Sequence, residues 1–184
     1  MNFSGEPTAL VIVDMQKGMA NAGPRNNPEA ESHIGQLLDH WRECARPIVH
    51  VRHLSRTPGS PFWPGQPGAE FQERLAPQVS EHVVDKHVTD AFAQSGLARW
   101  LHQRGIRSLV FVGVSTNMSV EASVRSAACL GFDCKVVADA CYTYDRPDLD
   151  GEPRSAEDIH RVALANLSGE YAHVLLSADL LLAK

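Results

Sequence analysis

Three polar side chains of this sequence follow apolar, strand-like runs, and their types could do chemistry together. Asp14 follows Leu10-Val11-Ile12-Val13, Lys86 follows Val83-Val84-Asp85, and Ser119 lies in the turn beyond Val112. A carboxyl group in a poorly hydrated position has a raised pKa, which suits proton transfer near neutral pH. A lysine facing it forms a charge pair able to lower the pKa of a nucleophile. Taken singly, a capping aspartate and a solvated strand-end lysine are the simpler interpretations.

The segment Gly113–Glu121 is the most distinctive of these features. A strand runs into a tight turn that opens a helix, a geometry that directs a nucleophile and free backbone amides at one point. The amides near Ser119 would then form an oxyanion hole. Ser115, Thr116, Asn117 and Ser119 are also good helix-capping residues, so composition alone leaves a plain capping segment equally open.

The elements that must position these residues alternate between strand and helix patterns. This alternation predicts an α/β fold, a three-layer sandwich with a mostly parallel, doubly wound sheet flanked by helices. Strands are expected at 8–13, 47–51, 108–112, 134–138 and 171–175, and helices at 29–44, 117–130 and 155–167. Ligands bind beyond the carboxyl ends of parallel strands. We therefore expect Asp14, the end of Val51-Arg52-His53, the Gly113–Ser119 turn and Asp139–Tyr142 to converge.

The segment between Leu54 and Ser80 is long and contains five prolines and three glycines. Loops of this length inside a compact domain are usually functional or disordered. Its aromatic pair, Phe62-Trp63, indicates an ordered flap over a pocket. A domain boundary here would leave neither side with a complete sheet, so we expect one domain over residues 1–184.

Composition excludes several classes of function. The net charge of −5 argues against a nucleic-acid-binding protein, which normally carries a basic face. No apolar run approaches the roughly 18 residues of a membrane-spanning helix, and the first residues lack a secretory signal pattern. The four cysteines have neither zinc-ribbon nor CxxC spacing, which favours reduced thiols and a cytoplasmic location.

Several motifs in this order and spacing resemble the isochorismatase-like cysteine hydrolases, in particular the amidase branch that includes N-carbamoylsarcosine amidases and nicotinamidases. The similarity extends over about residues 8–180. The motifs are Val11–Gln16, Asp85-Lys86-His87 with Ala91-Phe92, Gly113–Glu121, Ala127, Gly131-Phe132, Asp139-Ala140 and Ser155–His160.

The resemblance implies a role for each residue of the cluster. Asp14 would be the general base, Lys86 its electrostatic partner, and position 119 the nucleophile that forms an acyl-enzyme with a small amide or ureide. The backbone amides of Ser115 and Ser119 would form the oxyanion hole, with a cis peptide bond at Val114-Ser115. The resemblance also implies a homo-oligomer, a dimer or tetramer, and no cofactor.

Ser119 departs from the family pattern, which has cysteine at this position. A thiol reaches a useful thiolate fraction near neutral pH, whereas a serine hydroxyl needs a base acting in the transition state. Three interpretations remain open: a cysteine-to-serine variant made to hold substrate without turnover, a natural serine enzyme, or the branch that cleaves a vinyl ether by Asp14 acid catalysis without a nucleophile. A non-catalytic, metabolite-binding member of the family is a further alternative.

Metal and substrate contacts can be placed only in part. Nicotinamidases bind a metal through an Asp-x-His pair after the second strand, and the comparable Val51-Arg52-His53 lacks the aspartate, so we expect no metal and no nicotinamide substrate. An arginine at the strand ends would suit a carboxylate-bearing substrate. The candidate substrate contacts are Arg52, His53, Phe62, Trp63, His87, Asn117 and Tyr142, with Tyr144 and Arg146 nearby.

Overall fold

The apolar runs of the sequence assemble into one six-stranded parallel sheet in the computed structural model, which describes residues 7–20 and 22–182. The strands are β1 (Thr8–Val13), β2 (Ile48–His53), β3 (His82–Lys86), β4 (Ser108–Val114), β5 (Asp133–Tyr142) and β6 (His173–Leu175). Their order is β3-β2-β1-β4-β5-β6, and every neighbouring pair is parallel. The chain therefore reverses its direction of winding between β1 and β4.

Helices cover both faces of the sheet. They are α1 (Ala30–Glu43), α2 (Leu97–Gln103), α3 (Glu121–Cys129), α4 (Ala156–Leu167) and α5 (Ser177–Leu181). Because side chains alternate along a strand, β1 contributes Ala9, Val11 and Val13 to the core under α2, α3 and α4. Its residues Leu10 and Ile12 enter the core under α1 and α5. The predicted three-layer α/β sandwich is confirmed.

Helix α4 shows how closely a local pattern can predict an element. Ser155 precedes it, and the Ser155 hydroxyl accepts a hydrogen bond from the Asp158 amide at 3.1 Å, as the sequence predicts.

The boundaries of two other elements differ from the prediction. The strand expected at 134–138 continues to Tyr142, so Asp139 lies inside the strand and not at its carboxyl end. The helix expected from 117 begins at Glu121, after a π-helical turn at Thr116–Val120.

Asp139 has a structural role in this position. Its carboxylate accepts hydrogen bonds from the Ser177 amide at 2.8 Å and the Ser177 hydroxyl at 2.7 Å. The residue thus holds the start of α5 against the sheet, and it does not belong to the cluster of polar strand ends.

The segment between β2 and β3 is ordered and folds back over the carboxyl end of β1. It contains two short 3₁₀ turns, Pro67–Ala69 and Glu73–Leu75. Backbone hydrogen bonds attach it to the residues after Asp14, from the Lys17 amide to the Glu70 carbonyl at 2.8 Å and from the Gln72 amide to the Met15 carbonyl at 3.0 Å. We refer to residues 54–80 as the flap.

No helix among the described residues is long and apolar enough to cross a membrane.

Candidate active site

The carboxyl ends of β1, β3 and β4 bring Asp14, Lys86 and Ser119 together. The Lys86 Nζ atom donates to Asp14 Oδ2 at 2.7 Å and to Ser119 Oγ at 3.2 Å. Its remaining hydrogen bond goes to the Val88 carbonyl at 3.1 Å. All three side chains are buried, with 1%, 2% and 8% of the residue surface exposed for Asp14, Lys86 and Ser119. One ammonium group therefore holds a carboxylate and a hydroxyl in a nearly dry site.

Backbone geometry places each member of this cluster. Asp14 has a left-handed conformation with φ of 53°, and its amide bonds to the Val51 carbonyl of β2 at 2.9 Å. Lys86 is the last residue of β3 and lies in register with His53 of β2. Ser119 comes from the π-helical turn after β4. The cluster thus draws on three strands that are distant in sequence and meet at one edge of the sheet.

Burial raises the pKa of the Asp14 carboxyl above its ordinary value, and the Lys86 ammonium beside it acts in the opposite direction. Asp14 Oδ2 is occupied by Lys86, whereas the buried Oδ1 atom has no hydrogen-bond partner among the described residues. A carboxylate that is both basic and free at one oxygen is suited to accept a proton.

The turn that carries Ser119 is wider than an α-helical turn. The amides of Met118 and Val120 both bond to the Ser115 carbonyl, at 3.0 and 3.2 Å. The Val114-Ser115 peptide bond is cis. The amides of Ser115 and Ser119, the predicted oxyanion hole, both belong to this segment. π-helical turns are rare and are frequently found at functional sites.

His53 and Phe62 lie on the flap side of the cluster. Side chains that are in register on neighbouring parallel strands share a face, so His53 lies on the same face as Lys86. Partial burial lowers the pKa of His53, and the Lys86 ammonium lowers it further, against the opposite effect of Asp14. The Phe62 ring meets the His53 ring edge-on, with 6.1 Å between ring centroids. These two predicted contacts remain candidates for the substrate pocket.

The structure does not bring Arg52 and His87 to the cluster. Arg52 points to the opposite face from His53, where it forms a two-point ion pair with Asp85 at 2.8 Å for each bond and lies over the Phe71 ring. His87 is exposed, and its Nδ1 bonds to the Leu54 carbonyl at 2.8 Å. The alternation of side chains explains both placements, because each residue is one position from a member of the site.

Three other predicted contacts have different surroundings. Trp63 is on the exposed surface of the flap. Tyr142 is fully buried in the core on the α1 face of the sheet, with the Arg25 guanidinium 4.2 Å from its ring centroid. Asn117 accepts a hydrogen bond from the Thr143 hydroxyl at 2.6 Å and lines a cavity of about 290 Å³ on the outer side of the turn. Of the three, only Asn117 belongs to the turn that carries Ser119.

The neighbouring Tyr144 and Arg146 also have structural contacts. The Tyr144 hydroxyl donates to the Met19 carbonyl, which joins the end of β5 to the segment after β1. Arg146 is exposed and lies 3.9 Å from the Met118 sulfur.

Gln16 is a further functional candidate. It ends the Val11–Gln16 motif, but the sequence gives no role for its side chain. It is fully buried, and its carboxamide bonds to both backbone groups of His53, from Nε2 to the carbonyl and from the His53 amide to Oε1, each at 2.9 Å. The Nε2 atom also donates to the Ala69 carbonyl at 3.0 Å. Gln16 therefore connects the end of β2 and the flap to the chain just after Asp14.

A second pair that sequence reasoning missed joins α4 to the Ser119 turn. The His160 Nδ1 lies 2.8 Å from the Thr116 hydroxyl, and both residues are buried. Two signals were available: the Ser155–His160 motif, and the helical spacing that puts His160 on the same face as Ala156, Ala163 and Leu164. Among residues 7–20 and 22–182, no group of three or more His, Cys, Asp or Glu side chains is placed to hold a metal ion.

The order of the strands and the position of the cluster define a class of protein, the α/β proteins that carry their site at the carboxyl edge of a parallel sheet. The family model for the isochorismatase domain matches residues 8–179. The chain belongs to the isochorismatase family of hydrolases.

Comparisons with individual proteins agree with this assignment. The isochorismatase-family structure from Chromobacterium violaceum ATCC 12472 is 43% identical, with a TM-score of 0.94 over 100% of this chain and 96% of that one. The isochorismatase family protein YrdC of Bacillus subtilis is 32% identical over 96% of this chain and 95% of its own. Maleamate amidohydrolase of Pseudomonas putida is 28% identical over 95% of this chain and 85% of its own.

Proposed function

We propose that this chain hydrolyses a C–N amide or ureide bond of a small, polar molecule through an acyl-enzyme on Ser119. The observation that carries the proposal is the shared ammonium group, because Lys86 Nζ contacts both the carboxylate of Asp14 and the hydroxyl of Ser119. A nucleophile, a base and a fixed cation in one buried site are the parts that acyl transfer requires. The relative named maleamate amidohydrolase supports amide chemistry.

The first half of the proposed reaction is acylation of Ser119. Ser119 Oγ attacks the carbonyl carbon of the substrate while its proton passes to Asp14, where Oδ1 is the free oxygen. The amides of Ser115 and Ser119 stabilise the resulting oxyanion. Asp14 then returns the proton to the nitrogen of the leaving group, the C–N bond breaks, and ammonia or an amine departs from an ester on Ser119.

Deacylation uses Asp14 in the same order. Asp14 takes a proton from water, the resulting hydroxide attacks the ester carbonyl, and the bond to Ser119 Oγ breaks as Asp14 gives that proton to Oγ. Lys86 keeps Asp14 ionised between the two steps and holds Ser119 Oγ in place. A serine hydroxyl is much harder to deprotonate than a thiol, so acylation is the slow step in this chain.

Ammonia release tests the proposal. Ser119→Cys is assayed beside the unaltered protein on a panel of dicarboxylic monoamides, simple amides and ureides. We expect a gain in kcat of at least about a hundredfold on one class of substrate, since a thiol loses its proton far more readily than a hydroxyl. Ser80→Cys is the matched control, because it adds an exposed thiol at the opposite end of β3. No gain on any substrate, with an active Ser119 protein, would contradict the interpretation of Ser119 as the replacement of a nucleophilic cysteine.

Vinyl ether hydrolysis by acid catalysis is the second candidate, because that reaction needs no nucleophile and position 119 lacks the cysteine of the amidase pattern. Ser119→Ala distinguishes the two. An acyl-enzyme mechanism loses activity with this change, whereas the vinyl ether mechanism keeps it and still depends on Asp14. The comparison is made on isochorismate and on the amide panel with the same protein preparations.

A further inference from the structure

The turn that carries Ser119 has an irregular pattern of backbone hydrogen bonds. The Ser115 carbonyl accepts both the Met118 and the Val120 amides, and the Glu121 amide is shared between the Thr116 and Met118 carbonyls. The Lys86 Nζ to Ser119 Oγ distance of 3.2 Å is at the long end for a hydrogen bond. A small movement of the turn would therefore separate Ser119 from Lys86.

Side chains from other elements hold the turn at two places. Thr143, just beyond β5, donates its hydroxyl to Asn117 on the outer, partly exposed side. On the inner side, the Thr116 hydroxyl meets His160 Nδ1 at 2.8 Å, where Thr116 is 0% and His160 4% exposed. The inner contact is the one shielded from water, where a hydrogen bond is stronger and an unpaired polar group costs more.

We propose that His160 is a positioning residue, which fixes the direction of Ser119 Oγ and of the Ser115 and Ser119 amides by holding Thr116. This inference rests on the proposed function, since it assigns His160 a role in the same site. His160 lies on the buried face of α4, whose first turn is capped by Ser155. Burial lowers the pKa of His160, which keeps the imidazole neutral and able to pair with a hydroxyl.

The contact could also serve only to satisfy two buried polar groups. A purely structural role predicts that loss of the contact lowers stability and leaves the reactivity of position 119 unchanged. A positioning role predicts that the reactivity of position 119 falls, and that a side chain with a polar atom in the place of Nδ1 restores it. Asparagine supplies such an atom, whereas leucine fills a similar volume without one.

The experiment uses the full chain with Ser119→Cys and measures alkylation of the thiol at position 119 by iodoacetamide, followed on its peptide by mass spectrometry. His160→Leu and His160→Asn are compared in this background, with Arg161→Gln on the exposed face of α4 as the control. We expect about tenfold slower alkylation for His160→Leu, since small misplacements cost one to two orders of magnitude. His160→Asn should recover most of the rate, and Arg161→Gln should match the parent.

Thr116→Val tests the same contact if His160→Leu does not fold, because it only replaces the hydroxyl by a methyl group. Where the parent hydrolyses an amide, these variants should lower kcat by a similar factor with KM within about twofold. Alkylation rates within twofold of the parent in folded His160→Leu or Thr116→Val would overturn the proposal. Alkylation needs no substrate, so failure of the amidase assignment alone would leave the alkylation result intact.

Discussion

The backbone of Gly113 on β4 lies against Val13 on β1, directly before Asp14. The two residues are in register, Gly113 has φ of +123°, and a β-carbon built there would lie 2.1 Å from the Val13 carbonyl oxygen. No side chain fits into that space, because the obstacle is backbone. The pairing of β4 with β5 also shifts register between Phe111 and Gly113. Close approach at this point brings the start of the Ser119 turn beside Asp14.

Gly113→Ala should therefore be strongly destabilising, because the methyl group forces β1 and β4 apart beneath the cluster and the φ angle is unfavourable for alanine. Thermal unfolding and soluble yield measure the effect. Gly96→Ala is the matched control, since a β-carbon at Gly96 would have no atom within 4 Å and its φ is −89°. We expect the control to change stability by less than about 1 kcal/mol, and equal losses in the two variants would contradict the steric argument.

Asp14→Asn should abolish hydrolysis by either proposed mechanism, because both need a proton carried by this carboxyl. It also leaves the buried Lys86 ammonium without its anionic partner. Denaturant unfolding measures the stability, and ammonia release the activity. The double variant Asp14→Asn with Lys86→Met should be more stable than Asp14→Asn, since the uncompensated ammonium is gone. Additive losses would contradict the coupling.

Activity should fall in acid at a pH above the ordinary aspartate value of 3.8, because burial raises the pKa of Asp14. The base is active when ionised, so the rate is lost as the pH falls through the raised pKa. The effect of Asp14 on stability has the opposite sign, since the folded state holds the proton more tightly than the unfolded state does. The pH dependence of kcat/KM, with a substrate that does not titrate in this range, measures this loss of activity in acid. A midpoint at or below 3.8 would contradict the raised pKa of Asp14.

Glu81 predicts a separate pH dependence, of stability alone. Although burial opposes ionisation, the Arg42 guanidinium, the Gln78 amide and His50 hold the pKa of Glu81 at about 2. The folded pKa is below the value of 4.5 for the free side chain, so this stabilisation is present above pH 4.5 and is lost as the pH falls toward 2.

The check on Glu81 is the difference in melting temperature between the parent and Glu81→Gln. It should be largest at neutral pH and should shrink in acid. Glu170→Gln, at an exposed position, serves as the control and should show no comparable trend. A difference independent of pH would assign the loss to packing.

Gln16→Ala should loosen the flap without unfolding the sheet. The carboxamide of Gln16 connects His53 to Ala69, whereas the backbone bonds from Lys17 and Gln72 remain in place. Amide hydrogen exchange should accelerate in the flap and at the end of β2, and KM should rise if Phe62 and His53 contact substrate. Gln66→Ala, at an exposed position in the flap, is the comparison. Unchanged exchange near Ala69 would show that backbone bonds alone secure the flap.

Several parts of the fold and the cluster follow from sequence because they depend on strong local patterns. The continuous apolar run before Asp14 and the apolar strand before Gly113 identify buried parallel strands, and the rule for strand ends then brings Asp14 and Ser119 to one edge. The start of α4 is equally local, since Ser155 and Asp158 form a recognisable cap.

Other features depend on contacts that no local pattern records. The sequence predicts Arg52 as a substrate contact, whereas the register of β2 and β3 pairs it with Asp85. The π-helical turn was expected as an ordinary helix because serine, threonine and asparagine suit both. The short helix α2 has few residues and only Leu97 and Leu101 buried within it, which leaves almost no periodicity to detect. His160 acquires its partner only when α4 packs on the turn.

The reversal of winding between β1 and β4 divides the cluster between two halves of the chain. Residues before Gln94 supply Asp14 and Lys86, and residues after Gly96 supply Ser119, while Gln94 and Gly96 are themselves exposed. A protein cut between Gln94 and Gly96 would yield two fragments, neither of which holds a complete site. Hydrolysis would return only when the fragments reassociate through the β1–β4 pairing, so the molecule lends itself to use as a split reporter of complementation.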